Sequence, residues 1–87
     1  MPTVWIPSLL RELTGGQDTI EVEGQTVREV IEQLDRRYPG FRERLVDGDR
    51  LRPTMAVLVD GRTSQLKLRQ PLSPSSEVHF VPVISGG

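Results

Sequence analysis

The clearest pattern along the chain is an apolar stripe at helical spacing. Apolar residues recur at i, i+3, i+4 and i+7, which is one face of an α-helix, at Val27, Val30, Ile31 and Leu34. Thr26 precedes the stripe as a good N-cap, and Glu29 three residues later completes a capping box. Arg36 and Arg37 suit the negative end of the helix dipole, and the Pro39-Gly40 pair is expected to end the helix.

Two strands are predicted before this helix, and we expect them to form a hairpin. Residues 3–7 are rich in β-forming types, with Pro7 at the end or edge of the strand. Residues 18–23 alternate polar and apolar side chains, as a strand with one buried face does. A turn over residues 14–16 separates the two runs, while residues 8–13 are compatible with a turn of helix or an extended strand.

The second half of the chain is predicted to add a short helical turn and further strands. Phe41 and Leu45 are expected to anchor the helical turn. The remaining segments are a polar loop over residues 48–53, an inner strand over 55–59, a turn at Asp60 and Gly61, a short strand within 63–69 through Leu66 and Leu68, a loop over 70–76 and a last strand over 77–83.

This order favours an α+β fold in which one main helix covers one face of a mixed sheet and leaves the other face open. If Val4 and Ile6 face the helix, Trp5 points the opposite way. The alternative is that the first strand is buried on both sides and that Trp5 belongs to the core. Strand phase places the following residues on the open face as a candidate docking surface: Trp5, Pro7, Leu58, His79 and Val81.

Composition excludes several classes of function. The 87 residues carry a net charge of −1 and include no cysteine, which removes disulfides, thiolate metal sites and cysteine nucleophiles. The arginines around the main helix alternate with acidic residues, so we expect a solvated mixed-charge surface and no nucleic-acid partner. His79 is the only histidine and lacks partners for a metal site. We find no membrane-span pattern and no signal-peptide pattern, and we expect a cytoplasmic protein.

The printed sequence ends in Ile84, Ser85, Gly86 and Gly87, and this end offers a chemical use. Glycine lacks a Cβ, so Gly86 and Gly87 could thread a narrow channel in a partner enzyme. The Gly87 carboxylate is a poor electrophile, but once joined to AMP it is open to attack by sulfur or nitrogen. The alternative is a Gly-rich end without function. If the end is functional, the partner contacts leading to the reacting Gly87 would be Pro82, Val83, Ile84 and Ser85.

An ordered set of short motifs resembles the ThiS/MoaD sulfur carriers, which have the ubiquitin-like β-grasp fold. These motifs are Leu10-Arg11-Glu12-Leu13-Thr14-Gly15-Gly16, Thr26-Val27-Arg28-Glu29-Val30, Tyr38-Pro39-Gly40, Arg44-Leu45, Val57-Leu58-Val59-Asp60-Gly61 and Val78-His79-Phe80-Val81-Pro82 before the diglycine. The opening residues 6–11 look most like the subgroup that carries sulfur for cysteine biosynthesis. The chain departs from the family pattern at Ser75-Ser76, where the family often has Gly-Asp, and in residues 62–71, which lack a glycine pair.

The resemblance implies a β-grasp domain over residues 1–82, with a mixed sheet of four to five strands, and a flexible tail over residues 83–87. It implies that an E1-like enzyme uses ATP-Mg to adenylate Gly87, and that sulfur from a sulfurtransferase or other donor converts it to a thiocarboxylate. A sulfur-accepting synthase would then receive sulfide for cysteine, molybdopterin, thiazole or thiolated tRNA. The carrier itself would bind no cofactor or metal and would not be an enzyme.

Two other functions are compatible with the same residues. The activated Gly87 could be joined to a lysine of a target, which would make the chain a protein modifier. Lys67 is the only lysine, so branching through side chains would be limited to one position. The chain could also be a β-grasp binding module with an inert tail.

Overall fold

The structure is a computed structural model that describes residues 1–83. Its strands are β1 (Thr3–Trp5), β2 (Thr19–Glu21), β3 (Val46–Asp47), β4 (Arg50–Leu51), β5 (Met55–Val59), β6 (Arg62–Thr63) and β7 (Glu77–Pro82). Its helices are α1 (Val27–Arg37), α2 (Phe41–Leu45) and two 3₁₀ helices, η1 (Ser8–Thr14) and η2 (Lys67–Arg69). None of the helices within this part of the chain is long and apolar enough to cross a membrane.

Helix α1 begins at the predicted cap. The Thr26 Oγ1 accepts a hydrogen bond from the Glu29 N–H at 3.2 Å. The Glu29 carboxylate accepts from the Gln25 N–H at 3.2 Å, so the capping box closes one residue before the cap. The four residues of the apolar stripe are at most 1% exposed, and the helix ends at Arg37, just before Pro39. Local sequence signals therefore fix the bounds of the main helix.

Five strands form one mixed sheet in the order β2-β1-β7-β5-β6. Strands β1 and β7 are parallel, and the other neighbours are antiparallel. The predicted hairpin is present, with η1 between its strands, which settles residues 8–13 as helical. Core residues from the sheet and from α1 meet on one side, including Val4, Val57, Val78 and Phe80. This architecture confirms the α+β, β-grasp prediction.

The polar loop predicted for residues 48–53 is wrong, because part of it is a small hairpin. Strands β3 and β4 pair Val46 with Leu51 and Asp47 with Arg50. Val46 and Leu51 are both buried, so the hairpin closes the core at one end. The turn needs a left-handed residue, which Gly48 supplies with a φ of 64°.

The strand predicted through Leu66 and Leu68 is also wrong. An extended strand would place both leucines on one face, but Leu66 is 47% exposed and Leu68 is 5% exposed. Lys67 between them has a φ of 53°, which breaks the extended conformation. The Ser64 hydroxyl accepts the Lys67 N–H at 3.1 Å and stabilises this bend. Strand β6 is therefore limited to Arg62–Thr63.

Serines form the turn where the sequence departs from the family pattern. The Ser76 N–H donates to the Ser73 carbonyl at 3.1 Å, and the Ser73 N–H donates to the Ser76 hydroxyl at 2.9 Å. Thr3 of β1 donates its N–H to the Ser76 carbonyl at 2.9 Å. These bonds lead the chain into β7 without a glycine.

Candidate functional site

The sheet has an open face on the side away from α1. Strand alternation and register assign to the open face ten residues: Thr3, Trp5, Thr19, Glu21, Ala56, Leu58, Thr63, Glu77, His79 and Val81. Residues between them, such as Val4, Ile20 and Val78, are buried in the core. The open face is therefore a continuous surface across all five strands.

An aromatic pair lies at the centre of the open face. The rings of Trp5 and His79 are stacked with centroids 5.0 Å apart and planes at 11°. Trp5 is 40% exposed, so the alternative that the first strand is buried on both sides is wrong. The Trp5 indole N–H donates to the Glu77 carboxylate at 3.4 Å. Leu58 follows His79 in the same row of paired residues, so three of the predicted docking residues lie side by side.

The two ends of the open face differ in chemistry. At one end Val81, which is 37% exposed, pairs with Ala56 and forms an apolar edge. At the other end Glu21 and Glu77 each pair with Thr3 and form an acidic edge.

The prediction of the open face omitted several of its residues. Ala56 alternates with the core residue Val57, so the same phase argument that placed Leu58 could have found it. Glu77 could not be placed beside Thr3 from local sequence, because that pairing needs the parallel register of β1 and β7.

The chain reaches the predicted tail from the apolar end of β7. Pro82 pairs with Met55, and the Val83 N–H donates to the Thr54 carbonyl at 2.8 Å. Backbone bonding thus continues one residue beyond the predicted domain boundary, although the Val83 side chain is 46% exposed. The predicted contacts Ile84 and Ser85 and the predicted reacting residues Gly86 and Gly87 lie outside the described residues.

Pro7 lies two residues beyond the end of β1. It is half-buried and lines a groove of about 240 Å³ with Leu9, Met55 and Pro82 among others. Leu9 at this groove is 75% exposed and was not among the predicted contacts. The groove adjoins the place where the chain passes from β7 to Val83, so Pro7 and Pro82 share one surface next to the tail.

The described residues of the open face are mainly apolar, aromatic or hydroxyl-bearing. Residues 1–83 contain no group of three or more histidine, cysteine, aspartate or glutamate side chains that could hold a metal ion. His79 has Trp5 stacked on its ring and Leu58 beside it on the next strand. The geometry can present an apolar, aromatic surface to a partner, with Val83 following β7 at the apolar edge of that surface.

Comparison with known proteins identifies a family over nearly the whole chain. The model of the ThiS family matches residues 4–87. The sulfur carrier protein CysO of Mycobacterium tuberculosis is 31% identical over 90 residues, which cover 98% of this chain and 97% of the relative. The CysO protein of Mycobacterium bovis matches equally well.

Solved structures show the same similarity. A chain in the crystal structure of the Amycolatopsis orientalis BexX/CysO complex has a TM-score of 0.92 at 30% identity, with 100% of both chains covered. Mycobacterium tuberculosis CysO has a TM-score of 0.89 at 29% identity, covering 97% of this chain and 100% of that chain. The small archaeal modifier protein 1 of Methanosarcina acetivorans has a TM-score of 0.80 at 25% identity, covering 99% of this chain and 95% of that chain. From its fold and from these matches, the chain belongs to the ThiS family.

Proposed function

We propose that this protein is a sulfur carrier of the ThiS/CysO type that carries sulfide as a thiocarboxylate on Gly87. The observation behind the proposal is the family match, which runs from residue 4 through the diglycine at residue 87. The end-to-end similarity to relatives named sulfur carriers supports it further. The protein would act as a co-substrate of other enzymes, and its own residues would supply binding and presentation.

The chemistry requires two displacements at the chain end. An oxygen of the Gly87 carboxylate attacks the α-phosphorus of ATP, which forms an acyl-adenylate and releases pyrophosphate. A sulfur nucleophile equivalent to HS⁻ then attacks the acyl carbon, and AMP leaves with the electron pair of the broken C–O bond. An E1-like adenylating enzyme would bind ATP-Mg, and a sulfurtransferase or another donor would supply the sulfur.

The open face supplies a docking surface for the adenylating enzyme. Exposed aromatic side chains at the centre of a surface are typical binding anchors, and Trp5 stacked on His79 has this character. Strand β7 carries His79 and Val81 and continues directly into Val83, so one element joins the docking surface to the chain end. An enzyme bound to the open face would therefore lie beside the start of the tail.

We place the acceptor in cysteine biosynthesis as the first pathway to examine. Residues 6–11 resemble the subgroup of carriers that serves this pathway, and the relatives described above are CysO proteins. The acceptor would be a synthase that binds an electrophilic substrate and receives sulfur from the Gly87 thiocarboxylate. Sulfide transfer to a purified synthase of this class would support the assignment to cysteine biosynthesis. Transfer to another class of acceptor in its place would assign the carrier to a different pathway.

Intact-mass spectrometry tests the proposed function. The full chain would be incubated with the E1-like enzyme of its own genome, ATP-Mg and a sulfide source. We expect the mass gain of one sulfur-for-oxygen exchange, and we expect none in a variant that lacks Gly87. Larger conjugates that resist hydrazine would show a protein modifier. No change of mass with an enzyme that is active on another carrier would leave a binding module with an inert tail.

A further inference from the structure

The open face carries two carboxylates and no arginine or lysine. The protein contains eleven arginine and lysine residues, yet none is among the ten residues of the open face. The two charged residues of that face are Glu21 and Glu77, and both are exposed. They lie together at the acidic edge, on either side of Thr3.

The acidic edge continues into the neighbouring turn. Asp60 follows β5, and its carboxylate accepts the Glu77 N–H at 2.9 Å. The ion pairs within residues 1–83 join Arg11 to Asp18 and Arg44 to Glu12, and none includes these three acids. Two cations of residues 1–83 lie near this edge: the Arg37 guanidinium donates to the backbone carbonyl of Glu21 at 3.3 Å, and Arg62, paired with Val59, lines a groove with Asp60. Neither of these arginines forms an ion pair with Glu21, Glu77 or Asp60 within residues 1–83.

Cationic side chains gather on another part of the surface. A groove beside α1, the β3–β4 hairpin and η2 is lined by acidic and basic side chains. Its basic side chains are Arg28, Arg50, Lys67 and Arg69. The open face, which has two carboxylates and no arginine or lysine, therefore differs in charge from this groove. A partner that approaches the sheet meets negative charge at one edge, aromatic rings in the centre and apolar side chains beside the tail.

The geometry points to a partner surface that is apolar at its centre and carries arginine or lysine where it faces Glu77, Asp60 and Glu21. This inference rests on the proposed function, and the partner is the adenylating enzyme. Charges at the rim of an interface mainly set the association rate and the orientation of docking. When the cations of the partner face the acidic edge, the rest of the partner surface faces the apolar edge, where the chain leaves β7 at Val83.

The experiment measures ATP–pyrophosphate exchange by the E1-like enzyme of the same genome as a function of carrier concentration, at low and high salt. The test variants are Glu77→Arg, Glu21→Arg and Glu77→Gln. The last one keeps an oxygen that can accept from the Trp5 indole. The matched controls are Glu32→Arg on α1 and Glu43→Arg on α2, which reverse an exposed charge on the helix side.

Charge reversal at the acidic edge should raise KM at low salt while leaving kcat nearly unchanged. We expect about a tenfold rise for Glu77→Arg, because steering by complementary charge changes association rates by at least this factor. Glu21→Arg should have a smaller effect, since Arg37 is already bonded beside it. High salt should reduce the difference in KM between these variants and wild type, because exposed charges are screened beyond about 8–10 Å. The helix-side controls should have the KM of wild type at both salt concentrations.

Three outcomes would overturn the inference. In the first, Glu77→Arg and Glu77→Gln both behave as the helix-side controls do. In the second, their loss is the same at every salt concentration, which indicates a local contact and no steering. In the third, Glu77→Arg lowers KM, which indicates an acidic partner surface. If wild type gives no exchange with an enzyme that is active on another carrier, the proposed function fails and the inference fails with it. Exchange by wild type with unaffected variants refutes the inference alone.

Discussion

At the scale of single residues, Trp5 shows how an exposed residue of a strand differs from its core neighbours. Its neighbours Val4 and Ile6 are at most 2% exposed, while Trp5 is 40% exposed and stacks on His79. The outward direction of Trp5 follows from strand alternation, and the sequence predicted it correctly. The stack itself was not predictable, because it depends on the parallel pairing of strands that are more than 70 residues apart in the chain.

Replacing Trp5 should separate binding from folding. Trp5→Ala removes the aromatic centre of the open face, and truncating such an anchor typically costs about 2 kcal/mol of binding or more. We expect KM for the carrier in ATP–pyrophosphate exchange to rise about thirtyfold. Losing one exposed cross-strand pair should lower the free energy of unfolding by about 1 kcal/mol or less. Val81→Asp should act in the same direction, because it places a charge on the apolar edge.

Leu66→Ala is the matched control for Trp5→Ala. Leu66 is an apolar residue of similar exposure, 47%, and it lies beside η2 at the cation-containing groove. Its truncation should leave KM unchanged if docking uses the open face. A loss of about 3 kcal/mol or more in the free energy of unfolding of Trp5→Ala, measured by urea denaturation, would contradict this assignment, because losses of that size are typical of truncated core residues.

At the scale of elements, prediction succeeded where the signal is local. The apolar stripe of α1 and its Thr26 cap lie within one stretch of chain, and the structure has both. The β3–β4 hairpin was missed because its strands have two residues each, and only burial of Val46 and Leu51 against the rest of the core reveals it. Helix η2 was missed because a left-handed lysine is uncommon, and the buried Ser64 that stabilises it is three residues away.

The connection between β2 and α1 depends on one close approach. A Cβ at Gly24 would lie 2.7 Å from the Val30 Cγ2 and 3.0 Å from the Val30 nitrogen. Both distances are shorter than ordinary van der Waals contact, so Gly24 allows the chain to pass directly over the first turn of α1. The sequence places Gly24 before the helix but gives no sign of this contact.

Gly24→Ala should therefore destabilise the fold without touching the open face. Forcing an extra carbon into a packed site typically costs about 1–3 kcal/mol, and we expect a loss in this range by urea denaturation. Gln25→Ala, at the exposed neighbour, should change stability by about 0.5 kcal/mol or less. Adding Val30→Ala to Gly24→Ala should cost less than the two single changes together, because it removes the Cγ2 that clashes. If the two losses in the free energy of unfolding are strictly additive, the contact between residues 24 and 30 does not cause the destabilisation, because the connection can move away from Val30.

At the scale of the whole molecule, β7 joins the hydrophobic core to the open face that we propose as the docking surface. Its inward residues Val78 and Phe80 belong to the core, while its outward residues Glu77, His79 and Val81 belong to the open face. The strand lies in the middle of the sheet, bonded to β1 on one side and to β5 on the other. A central strand gives the chain end a rigid base, because both of its edges are paired.

This arrangement predicts that the last two residues can be changed without loss of folding. Among the described residues the core extends along the chain only to Phe80, and backbone pairing reaches Val83. Three variants test this: deletion of Gly86 and Gly87, Gly86→Val, and one alanine added after Gly87. Each should leave the melting temperature within about 1 °C of wild type, since exposed chain ends add few contacts. One alanine added before the exposed Met1 serves as the matched control.

The same three variants should lose ATP–pyrophosphate exchange for three different reasons. The deletion removes the carboxylate that would receive AMP. The valine adds a branched side chain where a narrow channel would admit only glycine. The added alanine moves the terminal carboxylate by about 3.5 Å and places it on a residue that has a side chain. The amino-terminal control should keep full exchange. Full exchange by the extended variant, with its mass unchanged before and after the assay, would refute Gly87 as the reacting residue, because the enzyme would then accept a terminal carboxylate on another residue.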